Sequence, residues 1–175
     1  MIHRARVVLQ QWYGSEVKFG EIIRCHHNYT EQMPPELILQ FRKPAKETPR
    51  SERVHGNVWL TRKGAIDASL GTKGLLPGSM GGKSYITVGK GDKLGLWSAP
   101  HGAGRVYGRR QANSLFSVEQ LKESMKGVEW SEEIADQLRD EIPYAYKDLN
   151  TVLADSSALI RVENTLTAFI NIKGA

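Results

Sequence analysis

A single cysteine, Cys25, in 175 residues leaves no partner for an intrachain disulfide and supplies none of the CxxC pairs a zinc ribbon needs. No apolar run approaches the length that crosses a bilayer, and the opening Met1-Ile2-His3-Arg4-Ala5-Arg6 lacks the hydrophobic region of a secretion signal. No membrane partner is therefore expected, and the cytoplasm is the expected compartment. The GxSxG elbow of the serine hydrolases is missing too. A GxxxxGK[ST] phosphate loop almost forms at Gly82, Lys83 and Ser84, but Pro77 stands where its first glycine belongs, which removes the P-loop NTPases. Proline is sparse outside one stretch, since four of the seven lie between Pro34 and Pro49. Arg42, Lys43, Lys46, Arg50 and Arg53 share that stretch, so residues 33–54 read as an exposed basic loop around the short apolar piece Leu37 to Phe41. An RNA-backbone contact and a variable solvated insertion are both open for it.

What is present suits one globular domain over residues 1–175: 40% apolar and 25% charged residues, with a formal net charge of +5. The charge is unevenly placed. From Arg42 to Arg110 there are 14 Lys and Arg against 4 Asp and Glu, and from Gln111 to Ala175 there are 6 against 11. The basic part also holds two glycine-rich turns, Pro77-Gly78-Ser79-Met80-Gly81-Gly82 and Pro100-His101-Gly102-Ala103-Gly104-Arg105, which flank short apolar runs that read as strands. Glycine permits the close approach and positive φ that a cradle of backbone N–H groups requires, and the hydroxyls of Ser79 and Ser84 can add bonds to a nucleotide. His101 lies uncrowded inside the second turn, with Arg105 four residues on and Arg109-Arg110 beyond. An imidazole nucleophile beside fixed positive charge points to phosphoryl or nucleotidyl transfer, whereas a lone glycine turn or a helix-capping histidine would be bland alternatives.

The runs PGSMGGKSYI and SAPHGAGR resemble the RtcB family of RNA ligases, and further segments agree in order: His26-His27-Asn28-Tyr29, Thr61-Arg62-Lys63-Gly64-Ala65-Ile66, Tyr144-Ala145-Tyr146-Lys147-Asp148 and Ile172-Lys173-Gly174. The resemblance covers nearly the whole chain apart from roughly Met33 to Arg53, and it is to the C-terminal half of the family. It implies an α+β fold with a mixed sheet flanked by helices and the site at a sheet edge. It also implies a GTP- and manganese-dependent ligase that joins 2′,3′-cyclic-phosphate or 3′-phosphate ends of RNA to 5′-hydroxyl ends. By resemblance, His101 is the guanylated residue, and Asn28, Ser79, Met80, Gly81, Ser84, Gly102, Ala103, Gly104, Tyr146 and Lys173 bind the nucleotide. Arg62 and Arg105 face phosphate, and His27 is a manganese ligand. The family's other metal ligands belong to a half that is absent here. An inactive fragment that keeps RNA or nucleotide binding, and one piece of a split ligase completed by a separately encoded N-terminal half, are the alternatives.

The flanking sequence carries ordinary signals. Ile2, Ala5, Val8, Leu9 and Trp12 predict a helix over Ile2 to Tyr13, with more protein expected before it. Val17 to Cys25 alternates weakly as a strand, and Val58 to Thr61 reads as another, which delivers Arg62 and Lys63 to its end. Ser117 to Gln120 is a capping box for a helix that ends near Gly127. Ser131 opens a helix with Ile134, Leu138 and Ile142 on one side, Asp148 caps a third, and Leu159 to Ile172 reads as two strands. The acidic helices are expected to turn their charge away from a polyanion.

Overall fold

The computed structural model describes residues 2–16, 18, 20–34 and 58–173. The expected basic loop at residues 33–54 falls almost wholly outside them, as does His55. Helix α1, Ile2–Tyr13, forms where the apolar spacing predicts it, but Val8, Trp12 and Tyr13 are exposed rather than packed. The described part of Val17 to Cys25 is irregular, not a strand. Its apolar alternation is broken by Gly20, and the first ladder begins only at Asn28.

Strand β1, Asn28–Met33, pairs antiparallel with β2, Val58–Lys63, so that Asn28 stands opposite Lys63. Gly64, at φ +68°, turns β2 into β3, Ala65–Asp67, and its N–H bonds the His27 carbonyl at 2.8 Å. β3 pairs with β6, Ser98–Pro100, while β4 (Lys73–Leu76), β5 (Lys83–Gly89) and β7 (Ile160–Thr167) form a three-stranded sheet in that order. The α+β class holds. The strands do not form one mixed sheet, however: they divide into three small antiparallel sheets among the described residues. A short turn joins β4 to its antiparallel partner β5, where a parallel pair would need a long crossover.

Two apolar clusters fill the interior. Ile66, Leu76, Tyr85, Ala99 and Ile160 pack beneath the strands. Leu121, Met125, Leu138 and Ile142 pack among helices α2 (Arg109–Leu115) and α3 (Val118–Ser124) and a 3₁₀ helix, Glu132–Glu141. The expected capping box is formed, with Ser117 Oγ accepting from Gln120 N–H and the Gln120 amide oxygen accepting from Ser117 N–H. The segment after Ser131 is 3₁₀ rather than α, and Ile134, at φ −103° and ψ 18°, interrupts it. Pro143 ends it, and Asp148 caps α4, Leu149–Asp155, by accepting from the backbone of Asn150 and Thr151. The chain after β7 makes no second strand of its own. It runs back beside Glu129, whose N–H bonds the Phe169 carbonyl at 2.8 Å and whose carbonyl accepts from Asn171 at 2.8 Å.

Candidate functional site

The two glycine turns meet. The first links β4 to β5 and the second follows β6, and a Cβ on Gly102 would stand 3.2 Å from the Pro77 carbonyl oxygen. A side chain there would push the turns apart, so glycine permits the contact. The first turn is stiffened by Gly82 N–H to the Ser79 carbonyl at 3.0 Å and by Gly78 N–H to Ser84 Oγ at 3.2 Å. The second turns at Gly104, φ +71°, and then lies along residues 145–147: Lys147 N–H bonds the Gly104 carbonyl at 3.0 Å, and Val106 N–H the Ala145 carbonyl at 2.9 Å. That bridge sets Arg105 opposite Tyr146, with the guanidinium carbon 5.0 Å from the centre of the phenol ring.

Two cavities open on the loop. One, of about 500 Å³, is lined by Ser79, Gly82, Tyr144, Tyr146 and Asn150 among others. The other, of about 540 Å³, takes in Gly64, His101, Gly102, Gly104 and Thr151. Ala103, Lys147 and Asp148 border both. The first offers aromatic rings and polar groups of a size that suits a nucleobase and ribose, and the second presents the imidazole.

His101 is half-buried, not freely exposed, and its Nδ1 is enclosed with no hydrogen-bond partner. Burial, and then the neighbouring His27, push its pKa below the ordinary 6.5, which keeps the ring neutral with a lone pair to offer. The imidazoles of His27 and His101 stand 4.9 Å apart between centres. Backbone explains that meeting: Gly64 bonds the His27 carbonyl, and Ala65 just beyond it faces Pro100, the residue before His101. Asn28, exposed beside His27, offers its Oδ1 to Gly64 N–H at 3.4 Å.

Of the two adjacent cations Arg62 and Lys63, the structure buries Arg62. Arg62 is buried at 3% exposure, and its guanidinium donates to Tyr29 Oη at 2.6 Å, to Ser98 Oγ at 2.9 Å and to the Trp97 carbonyl at 3.3 Å, and pairs with Glu31. It braces the hairpin that follows His27 against the strand that leads to His101, and so cannot meet a phosphate. Successive side chains alternate across a strand, so Lys63 is the exposed member. Sequence reading had the signal, a pair of cations at a strand end, but not the face. Met80 has its side chain buried in the helical cluster, and its carbonyl accepts from Asn171 Nδ2 at 3.1 Å. Gly81 packs against the end of α3, where a Cβ would come within 2.9 Å of the Ser124 carbonyl.

Glu141 was missed altogether. The acids of the 3₁₀ helix do not all face away: Asp140 and Glu141 are buried and turn toward Arg105, Arg109, Tyr146 and Lys173. Lys173 Nζ lies 2.6 Å from Glu141 Oε2, and Arg109 reaches Oε1 at 2.6 Å. Tyr146 donates to the same carboxylate, and Arg105 donates to Tyr146 Oη at 3.2 Å and to the Asp140 carbonyl. Among the described residues no group of three or more His, Cys, Asp or Glu is arranged to hold a metal ion. The residues present therefore do not by themselves fit manganese.

The chain matches the family model described as tRNA-splicing ligase RtcB over residues 1–174. It is 38% identical over 154 residues to an RNA-splicing ligase RtcB of Escherichia coli, in an alignment that covers 88% of this chain and 33% of that protein. Similar relatives include a tRNA-splicing ligase RtcB of Pyrobaculum aerophilum, 35% identical over 55% of this chain and 23% of its own length. An RNA-splicing ligase RtcB of Mycobacterium tuberculosis is 34% identical over 61% of this chain and 26% of its own length. The chain thus spans about a third of the length of the Escherichia coli relative, and less of the other two.

Proposed function

The chain belongs to the RtcB family, and on that premise we propose that it is the nucleotide-carrying part of an RNA ligase, one that joins a 3′-phosphate end to a 5′-hydroxyl end in RNA repair or tRNA splicing. The observation that carries the reading is a neutral, half-buried His101 that lines the second cavity, in a glycine turn whose next residues, Ala103 among them, also border the first. With Nδ1 enclosed, Nε2 is the attacking atom. His101 attacks the α-phosphorus of GTP; an N–P bond forms, the bond to the bridging oxygen breaks, and pyrophosphate leaves. The RNA 3′-phosphate then takes GMP from His101. The 5′-hydroxyl oxygen attacks the activated 3′-phosphorus, its proton goes to solvent, and GMP is released. A 2′,3′-cyclic end would first add water to become a 3′-phosphate.

The ring of Tyr146 and the ammonium of Lys173 suit a base and its sugar, and Ser79 and the backbone of Gly102 to Gly104 suit the phosphates. Arg105, whose guanidinium bonds Tyr146 Oη and the Asp140 carbonyl, acts on the phosphates through the placing of Tyr146 rather than by direct contact. Lys63 takes the RNA-facing role first given to Arg62. His27 is one imidazole, too few donors to compete with water for manganese, so the reading takes the remaining ligands from outside the described residues, as a separately encoded N-terminal half would supply them. A second reading follows from that same shortage: this chain alone binds nucleotide and RNA without ligating. The compartment proposed is the cytoplasm, and no helix among the described residues is long and apolar enough to cross a membrane.

The test is incubation with α-labelled GTP and manganese, with and without the N-terminal part of the Escherichia coli relative. Acid-labile, base-stable label should appear on the protein, strongest when the second part is supplied, and His101→Ala should abolish it. Label that survives in the alanine variant would remove His101 from the role.

A further inference from the structure

One wall of the proposed nucleotide site is held by a group that takes no part in the chemistry above. Glu141 ends the 3₁₀ helix with its carboxylate about 5% exposed, and it borders neither cavity. Around it converge side chains from four separate segments: Arg105 from the second glycine turn, Arg109 from α2, Tyr146 from the approach to α4, and Lys173 from the segment beyond β7. We infer that Glu141 is the positioning residue of this wall, which fixes Lys173, Tyr146 and Arg105 relative to one another before a nucleotide arrives. The inference rests on the nucleotide reading of the site.

Three considerations carry it. A buried ion cluster is no efficient way to hold a fold together, since apolar side chains of like volume do as well or better, so its value here lies in what it aligns. Tyr146 lines the cavity and is bonded at its hydroxyl to both Glu141 and Arg105, so the carboxylate sets the tilt of the ring without touching what the ring touches. A lysine side chain 37% exposed would otherwise sample many rotamers, and a ligand that needs it would have to order it. Tethering Lys173 to Glu141 at 2.6 Å removes that loss of freedom from the binding step. The carboxylate stays ionised throughout. Burial pushes its pKa up, but hydrogen bonds from Lys173 and Tyr146 outweigh burial and hold it at about 2.

The test uses the whole chain with Glu141→Gln, which keeps the shape and loses the charge, and Glu141→Asp, which keeps the charge and withdraws its reach. Acetic anhydride footprinting read by mass spectrometry should show Lys173 acylated roughly tenfold faster in Glu141→Gln, with Glu141→Asp between it and the parent, because an ammonium freed from a carboxylate reacts as an ordinary lysine. In calorimetric titrations with GTP and no metal, Glu141→Gln should weaken binding roughly tenfold, and the same change in a Lys173→Met background should add little, as coupled residues do. An unchanged Lys173 rate in both folded variants would overturn the tether, and additive losses in the double variant would overturn its action through Lys173. Failure of GTP to bind the parent chain, with the acylation response intact, would instead overturn the nucleotide reading.

Discussion

Two flanks of the molecule differ: one pairs and packs its charged groups, and the other leaves the His27 imidazole exposed beside His101. The first flank is the helical cluster. Ile142 and Leu121 are fully buried in it, and Glu141 gathers its cations at its edge. The second is the β1–β2 hairpin, where Trp59 is 64% exposed and His27 has no set of metal-ligating companions among the described residues. Arg62 is the exception on that side, bracing the hairpin toward β6. The contrast teaches where this chain is self-sufficient. The groups assigned to the nucleotide are held in place by one another, while the face proposed to meet a metal has no such set among the described residues. The reaction proposed draws on both flanks.

The comparison can be broken most sharply by stability. Leu121→Ala should cost about 3 kcal/mol in denaturant unfolding, because it leaves a void in a fully buried cluster, whereas Trp59→Ala should change stability by less than about 0.5 kcal/mol. Equal losses would mean that the hairpin face is as well packed as the helical one. Acid should separate the flanks next. His101 has a pKa below its ordinary 6.5, so its contribution to stability is present above pH 6.5 and fades below it. Glu141, held at about 2 against an ordinary 4.5, contributes above pH 4.5 and loses that contribution as the pH falls toward 2. NMR spectra followed down in pH should therefore show the His27–His101 region change first and the Glu141 region later, with the later change absent in Glu141→Gln. A single simultaneous transition would contradict the division. The smallest effect concerns RNA. Lys63→Ala should reduce the slope of log affinity against log salt by about one, and Arg62→Met should leave that slope unchanged while weakening the fold. The opposite result would restore Arg62 to the RNA surface.

Much of this was legible in the residues, and what was not shares a cause. Helix α1, the capping box at Ser117, the Asp148 cap and the closeness of the two glycine turns all follow from local chemistry: side-chain spacing, a reachable N–H, a missing Cβ. Arg62 and Lys63 show the limit. A strand's period of two guarantees that one of them points inward, but the direction is set by Tyr29, Glu31 and Ser98, which lie far away in sequence. The same holds for Glu141. Spacing by four along Ile134, Leu138 and Ile142 identifies an inward side, yet only the 3₁₀ winding and the return of the chain at Lys173 bring the acid against its partners. Met80 sits in a motif that reads as ligand-facing, and its thioether found the helical cluster instead.

The border shared by the two cavities carries a thermodynamic consequence. Ala103 from the second glycine turn and Lys147 and Asp148 from the approach to α4 border both the cavity with Tyr146 and the cavity with His101. A molecule seated on one side fixes the position of a wall that belongs equally to the other, so the two occupancies are coupled through those residues. Whatever factor the first occupant applies to the affinity of the second, the second must apply to the first, whether they arrive in one order or the reverse.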